Sequence, residues 1–247
     1  MPSDPPDLTQ WKAARKAALE AEDGWLNLIA RLPLTPGPQS IGSGPAHDIR
    51  LPKGPETLGR LTLTDTGATL TTPDGQTHPF HPHLKLPPFL FEIHRADDAA
   101  LRVRDLTLPR HVNLSYFPHN PALIIRARWR ELDQPQPQRI SQKGAQDTQV
   151  NLTHRADFSH EGHDITLLAT HWKAGLPMFV IRDQTSGKQT YPASRFLIAK
   201  PDGDHITLDF NRAHNPPCAF TDFAICPLPP RENILPFAVT AGERTPA

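Results

Sequence analysis

The twenty-nine prolines of this 247-residue chain constrain its fold more than any other sequence feature. A proline inside a helix or a central strand removes a backbone hydrogen bond, and prolines occur in almost every part of the chain. Glycine, at 14 residues, is not enriched, which excludes a collagen-like repeat. The pattern therefore predicts a mainly β protein, built from many short strands joined by stiff turns.

Composition and charge narrow the class of protein. Hydrophobic residues make up 37% of the chain, enough for one large core or two modest ones. The 26 basic residues balance the 26 acidic ones, and because nucleic-acid-binding proteins usually carry a basic excess, we expect no nucleic-acid partner. No apolar run approaches the roughly 20 residues that span a bilayer, and residues 1–25 lack the apolar core of a signal peptide. We therefore expect a cytoplasmic protein without a membrane partner.

One stretch near the N-terminus predicts a helix, over residues 8–21. Thr9 is expected to cap it, and Gly24 marks its end. We expect the helix to lie across a sheet with one buried face, which would contain Trp11, Ala14 and Ala18.

Short β-like runs separated by Gly and Pro follow the helix, as in a small sandwich. The segments Ile41-Gly-Ser43 and Asp48-Ile-Arg-Leu51 make this part similar to a forkhead-associated (FHA-like) sandwich. Phosphothreonine-reading members of that family have Arg where Ser43 stands, and Ser-x-x-His near residues 57–60. The resemblance therefore implies the fold without the phosphopeptide-binding residues.

Three histidines lie close together in a proline-broken segment, namely His78, His81 and His83. Imidazoles at this spacing could bind a metal, but alternating prolines form an extended strut whose side chains diverge. We expect no metal site there and interpret residues 77–88 as a linker. The predicted domains are 1–80, with the helix and the FHA-like part, and 81–247, a larger antiparallel β-sandwich or barrel.

The second half predicts further strands and one stripe of charge. Residues 122–129 form the strongest strand prediction, with Arg126, Arg128 and Arg130 on one face and Trp129 on the other. The arginine stripe could face an anionic ligand, or it could be the solvated face of a half-buried strand. Residues 133–138 are interpreted as a hairpin or loop, and His160 and His163 flank a hairpin tip. Later strands are predicted over residues 149–153, 156–159, 163–169 and 178–182.

The last fifth of the chain, residues 205–243, concentrates polar side chains in a proline-stiffened segment. A stiff backbone holds side chains in fixed positions, so we expect this segment to fold onto a β framework and to build a site. The candidate ligand-binding residues are Arg195, Asp209, Asn211, Arg212, Asn215 and Cys218.

Several roles stay open within this set. Asp209 is expected either to form a bidentate ion pair with Arg195 or to accept backbone N–H bonds. Glu243 is interpreted as solvated or as a partner of Arg212 or Arg231. Cys218 and Cys226 are interpreted as buried thiols, as a disulfide, or, for Cys218, as a nucleophile.

Four parts of the chain carry a resemblance to a known family: Trp11…Arg15…Gly24-Trp-Leu26, Ile41-Gly-Ser43, Leu101-Arg-Val-Arg-Asp105 and the block from residue 183 to Glu243. On these residues the chain is identified as a member of an uncharacterised, mostly bacterial family, domain of unknown function 1684 (DUF1684). The resemblance implies a β-rich fold, no established activity, and a position at His214 that relatives commonly fill with Tyr. It also implies that some relatives are exported or lipid-anchored.

The sequence lacks a P-loop, a dinucleotide fingerprint, a zincin motif and a nucleophile elbow, so no cofactor is expected. We expect a module that binds a small polar or anionic ligand in a pocket built by the C-terminal block. The first alternative is a hydrolase that uses Asp209 with His205 or Cys218. The second is a protein–protein interaction module acting through the FHA-like half.

Overall fold

The computed structural model describes residues 4–95, 98–143 and 147–246. The chain is mainly β, as predicted, and packs as two compact units. The central unit is Ala18–Val112, and the terminal unit combines Met1–Ala17 with Asn113–Ala247.

Helix α1, Pro6–Glu20, begins two residues before the predicted start. Thr9 lies inside it, where its hydroxyl donates to the Pro5 carbonyl at 3.2 Å, so its predicted capping role is wrong. The predicted buried face is also wrong for Ala14 and Ala18, which are exposed. The side chains that turn inward follow the helical spacing Leu8, Trp11, Arg15 and Leu19. Among the described residues, no helix has both the length and the apolar composition needed to cross a bilayer.

The central unit contains two sheets. The first has the order β3-β2-β4-β5-β6 and the second β1-β9-β8-β7, with only β2 and β3 parallel in the described residues. Leu61 and Leu70 of the first sheet and Phe91 and Leu101 of the second belong to one apolar core. The strands are β1 Leu28–Pro33, β2 Gly37–Gly42, β3 Ile49–Arg50, β4 Gly59–Leu63, β5 Ala68–Thr71, β6 Thr77–Pro79, β7 His83–Leu86, β8 Phe89–Arg95 and β9 Ala99–Asp105.

This division differs from the boundary predicted at residue 81. Strand β1, which precedes the expected linker, pairs along its length with β9, which follows it. Residues 77–88 contain β6 and β7 rather than an unpaired linker. The sequence pattern missed this because strand pairing joins segments that are about 70 residues apart, which local periodicity does not report.

The terminal unit contains a five-stranded sheet of order β13-β12-β10-β18-β17, a three-stranded sheet β14-β15-β16 and the pair β11-β19. None of these sheets closes into a barrel over the residues described. The strands are β10 Ile124–Ile140, β11 Gln142–Lys143, β12 Thr148–His160, β13 His163–Leu168, β14 His171–Lys173, β15 Leu176–Ile181, β16 Arg195–Ile198, β17 Pro201–Asp202, β18 His205–Asp209 and β19 Cys226–Pro227.

The two larger sheets and the C-terminal tail share one apolar core. The sheets contribute Trp129, Phe179 and Leu208, among others, to this core. The tail contributes every second side chain from residue 235 to residue 241, namely Leu235, Phe237, Val239 and Ala241. The prediction that the proline-rich tail folds onto a β framework is therefore confirmed. Alternation along the tail leaves the intervening residues exposed, as in a half-buried strand.

The strands of the terminal unit are longer than the sequence predicted. Residues 133–138 lie within β10 rather than in a hairpin or loop, and the two strands predicted over 149–159 are one strand, β12. The pairing of β10 with β12 shifts register between Glu131 and Gln136, which accommodates Pro135 within the strand. The hairpin tip between His160 and His163 is confirmed.

The arginine stripe on β10 has the alternation that was predicted. Arg126, Arg128 and Arg130 are exposed while Ala127 and Trp129 are buried. Asp204 lies 3.8 Å from Arg128 and Asp157 lies 3.8 Å from Arg130, so acidic neighbours accompany the stripe. This arrangement fits the solvated face of a half-buried strand.

Candidate functional site

Arg195, the first predicted site residue, is buried at the start of β16 with its side chain 1% exposed. Its Nη2 donates to Asp183 Oδ2 at 2.9 Å and to the Val239 carbonyl at 3.0 Å. Its Nη1 donates to the carbonyls of Ala241 and Glu243 at 2.5 and 3.3 Å. The predicted ion pair with Asp209 is therefore wrong, because Asp183 is the carboxylate that neutralises Arg195.

Asp183 is the second half of this anchor, and the sequence analysis did not single it out. Its Oδ1 accepts from the Thr185 backbone N–H at 2.8 Å, the Thr185 hydroxyl at 2.6 Å and the Val239 N–H at 3.1 Å. In the sequence, Asp183 is distinguished only by its place two residues after Ile181. The pairing of Ile181 with Arg195, which brings the two charges together, becomes visible only in the folded chain. Asp183 and Arg195 together hold the tail at residues 239–243 against β16.

Asp209 ends β18 and shapes the turn that follows. Its Oδ1 accepts from the Asn211 N–H at 3.1 Å and from Asn211 Nδ2 at 2.9 Å, and its Oδ2 accepts from Arg212 Nε at 3.0 Å. The interpretation that Asp209 accepts backbone N–H bonds is confirmed. Asn211 is buried and exchanges two hydrogen bonds with the Asn120 backbone, while Arg212 also pairs with Asp7 at 2.5 Å.

Glu243 and Asn215 form a buried junction with α1. Glu243 Oε1 accepts from Arg15 Nε at 2.9 Å, and its Oε2 accepts from the Asn215 N–H at 2.8 Å. Arg15 Nη2 donates to the Asn215 carbonyl at 2.9 Å. The expected partners of Glu243, Arg212 or Arg231, are wrong, since Arg15 lies 228 residues away in sequence. Local residue spacing cannot predict a contact between residues that far apart in the sequence.

Cys218 and Cys226 are both buried, and the Cys218 backbone N–H donates to Sγ of Cys226 at 3.2 Å. The burial agrees with the interpretation of these cysteines as small apolar groups. The hydrolase alternative needs Asp209 beside His205 or Cys218. His205 Nδ1 instead lies 2.6 Å from Asp204, and four residues of extended strand span roughly 13 Å. The contacts therefore bring no support to that alternative.

A different set of residues gathers on the second face of the three-stranded sheet. Opposed residues of antiparallel strands share a face, so the pairs His171–Met178, Lys173–Leu176 and Val180–Phe196 lie on the same side. His214 forms an isolated bridge with Phe196 and extends this side. We call it the Lys173 face, defined by His171, Lys173, Met178, Val180, Phe196, Ile198 and His214.

His214 supplies a neutral ring to this face. Its Nδ1 lies 3.1 Å from the Arg212 carbonyl, which can only accept, so Nδ1 carries the proton and Nε2 keeps a lone pair. Burial, with the nearby charges of Arg15 and Lys173, lowers the pKa of His214 to about 3. The ring centroid of Trp11 lies 6.0 Å from that of His214, which places α1 over this side of the sheet.

Lys173 is the cation at the edge of the face. The residue as a whole is exposed to solvent, but neighbouring atoms partly desolvate the ammonium group, and this effect, followed by the positive charge of Arg15, lowers its pKa. No carboxylate of the described residues lies within ion-pair distance of this ammonium. Tyr116 is also close to the Arg15 junction, where burial and the charge of Glu243 raise the pKa of its hydroxyl.

The predicted site residues therefore fall into one buried framework, and the polar groups at the Lys173 face are ones that the sequence did not assign. Arg15 carried a signal, because it stands on the inward side of an amphipathic helix beside Trp11. Lys173 carried none, since a single lysine in a short strand is most often solvated. The arrangement combines two cations and a neutral imidazole with an apolar floor, which is suited to binding an anion.

Comparison with known proteins gives a family and no activity. The sequence model of the family described as "Protein of unknown function (DUF1684)" matches residues 110–244. A solution NMR structure of an uncharacterised protein from Haloarcula marismortui is 34% identical, covers 53% of this chain and 76% of that chain, and has a TM-score of 0.45. No curated protein matches. Since the family match spans more than half of the chain, the chain belongs to the DUF1684 family.

Proposed function

We propose that this protein is a non-catalytic module that binds a small anionic molecule at the Lys173 face. The observation that carries the proposal is the Lys173 ammonium, partly desolvated and close to the positive charge of Arg15. Arg15 has its own carboxylate in Glu243, whereas Lys173 has none in the part of the chain that the structure describes. A bound anion would supply the missing negative charge.

The apolar floor indicates the kind of anion. Met178, Val180 and Phe196 form a small cluster of their own, with Ile198 packed against it, apart from the main core of the unit. Met178 and Phe196 are each 8% exposed and Val180 is fully buried, so a ligand with a small apolar body would contact only the rim of this cluster, with its carboxylate or phosphate group at Lys173.

This proposal keeps the ligand class expected from the sequence and changes the residues. Arg195, Asp209, Asn211 and Asn215 would act indirectly, by holding the tail and the turn that carries His214. Arg212, 31% exposed, and buried Cys218 belong to the same supporting segment. The protein–protein interaction alternative through the FHA-like half stays a prediction from the sequence.

The test is a thermal-unfolding screen of the full chain with small carboxylates and phosphates, aromatic and aliphatic. We expect at least one to raise the melting temperature of the natural protein in a saturable manner. Lys173→Met should remove that response, because the substitution deletes the charge but keeps the apolar stem. Lys200→Met, at an exposed lysine of the same unit, is the matched control. An equal response from natural protein and Lys173→Met would contradict the proposal.

A further inference from the structure

The central unit contains a second concentration of positive charge, on the side of sheet β1-β9-β8-β7 that faces away from its core. The register places Arg31, Arg102, Glu92 and His83 in one row across the four strands, because each is directly opposed to the next. Arg104 and His94 lie two residues away from this row on the same side. We call this set, Arg31, His83, Glu92, His94, Arg102 and Arg104, the cationic face.

One carboxylate serves two of these arginines. Glu92 Oε1 accepts from Arg102 Nη1 at 3.0 Å, and its Oε2 lies 2.8 Å from Arg104 Nη2. Arg104 Nε also donates to the Gly24 carbonyl at 2.9 Å. Arg31 reaches outward to Asp98 at 2.5 Å. The three guanidinium groups therefore share two carboxylates, which leaves one positive charge in excess within this set.

Four nitrogens of the cationic face are buried without a hydrogen-bond partner among the described residues: Arg31 Nε, Arg102 Nε, Arg104 Nη1 and His94 Nδ1. Arg104 is 2% exposed, so the unpartnered Nη1 belongs to a side chain that is almost wholly buried. A buried donor without an acceptor costs about 1–3 kcal/mol, more when it is charged. The cluster is therefore short of acceptors as well as of negative charge.

The pKa shifts on the cationic face agree with this shortage of acceptors and of negative charge. Burial lowers the pKa of the Arg102 guanidinium in spite of the attraction of Glu92, and repulsion from Arg104 and Arg31 adds to the decrease. Burial and the charges of Arg102 and Arg31 lower the pKa of His94, which keeps its ring neutral near neutral pH. A neutral His94 adds a polar group to the face without adding charge.

We propose that the cationic face is a binding site for a small oxyanion, a carboxylate or a phosphate, which supplies the missing acceptors. The site is in the central unit and is independent of the Lys173 face. Arg31 and Arg102 are each 14% exposed and Glu92 is 20% exposed, so the row is reachable from solvent. Asp98, 60% exposed, already places one carboxylate oxygen on Arg31 and shows the contact that a ligand would make there.

Trp25 provides a local reporter for this site. The Arg102 guanidinium lies 4.9 Å from the centre of the Trp25 ring, in a cation–π contact. An oxyanion drawn to Arg102 would alter the environment of this indole. The other tryptophans are Trp11, Trp129 and Trp172, all in the terminal unit, so their signals serve as internal references.

The experiment is a titration of the full chain with inorganic phosphate and, separately, acetate, at constant ionic strength in chloride. The indole N–H resonances are followed by NMR, with Trp25 assigned from Trp25→Phe. We expect a saturable shift of the Trp25 resonance with at least one of the two anions, and their relative affinities separate a phosphate site from a carboxylate site. Arg31→Met, at the rim of the face, should weaken binding about tenfold.

Two variants that change the net charge equally separate an effect at Arg31 from a general effect of charge. Asp98→Asn removes the carboxylate that competes for Arg31 and should tighten anion binding severalfold. Asp65→Asn, at an exposed aspartate of the same unit, makes the same change in net charge and should leave the affinity unchanged. A Trp25 shift that is absent or never saturates, or equal affinities of the natural protein, Arg31→Met and Asp98→Asn, would overturn the proposal.

Discussion

Buried arginines occur in both units, and they are satisfied very differently. Arg195 of the terminal unit has four hydrogen bonds to one carboxylate and three tail carbonyls. Arg102 and Arg104 of the central unit share Glu92 and leave Arg102 Nε and Arg104 Nη1 without partners among the described residues. Arg195 and Arg104 are 1% and 2% exposed, and each has one nitrogen without a partner among the described residues, Nε and Nη1 respectively. Arg195 has the Asp183 carboxylate to itself, whereas Arg104 shares Glu92 with Arg102. The difference therefore lies in the charge balance: an arginine with its own carboxylate fastens the chain, and arginines that share one are available to an anionic ligand.

The contrast also explains why the polar residues of the C-terminal block were wrongly predicted to form the ligand-binding site. Its polar residues are dense and rigidly held, as expected of a binding site, yet their hydrogen bonds are directed at one another and at the tail. Density of polar groups does not distinguish an anchor from a site. The balance between cations and carboxylates does, and it depends on contacts that only the folded chain defines.

The largest effect is expected from Arg195→Met. The substitution leaves Asp183 buried without its cation and three tail carbonyls without a donor, so the free energy of unfolding should fall by about 3–5 kcal/mol. Urea unfolding measures the change. Arg212→Met, at a partly exposed ion pair, is the control and should cost no more than about 1 kcal/mol. Similar losses for both variants would break the contrast between anchor and surface arginines.

The second prediction concerns pH and compares buried His214 with half-buried His94. The folded-state pKa of His214 is about 3, whereas an unfolded histidine titrates near about 6.5. The unfolded chain therefore binds the extra proton between these values, and stability is lost as pH falls from about 6.5 toward about 3, by about 2 kcal/mol at pH 5.

Unfolding experiments between neutral pH and pH 5 test this sign. His214→Phe should flatten the pH dependence, and His94→Phe should flatten it less, because His94 is only half-buried. His163→Asn, at an exposed histidine, controls for the loss of an imidazole. If natural protein and His214→Phe lose stability in parallel, the imidazole of His214 is not held neutral by the fold.

A smaller effect is expected from Arg102→Met, the same substitution as in Arg195→Met but on the cationic face. Glu92 keeps Arg104 as its partner, and the repulsion between Arg102 and Arg104 disappears. The net loss of unfolding free energy should therefore stay below about 2 kcal/mol, since no buried charge becomes unpaired. A loss as large as that of Arg195→Met would show that the cationic face is structural.

The smallest effect is expected from Arg126→Ser on the exposed stripe of β10. The side chain lies on the solvated face, so the unfolding free energy should change by less than about 0.5 kcal/mol. The melting temperature in a thermal scan is sufficient to test this. A clear destabilisation would mean that the stripe has a partner in the folded protein.

Local features of the fold were predictable from sequence, and distant ones were not. The hairpin tip between His160 and His163 lies where it was predicted, because a Gly-containing turn between two β-like runs is a short-range signal. The exposed arginines of β10 followed from the same two-residue period. Pairings such as Arg15 with Glu243, or Asp183 with Arg195, depend on which strands become neighbours, and no periodicity carries that information.

Residues 133–138 illustrate the intermediate case. The two prolines and the polar composition favoured a loop, yet the segment continues β10 because the register shift leaves room for Pro135. The candidate site shows the same limit of local sequence patterns. The ligand class was inferred from the sequence, whereas Lys173 became a candidate only when the strand pairings placed it on the same side of the sheet as His214 and Phe196.

The ion pair between Arg15 and Glu243 joins segments from the two extremes of the described chain, and this has a consequence for biosynthesis. Glu243 is synthesised 228 residues after Arg15, so the helix lacks its carboxylate partner while the residues between them are made. The stretch between them, Ala18–Val112, emerges early and already contains all the strands of its two sheets. We therefore expect the central unit to form first, with closure of the terminal unit as the later and slower step.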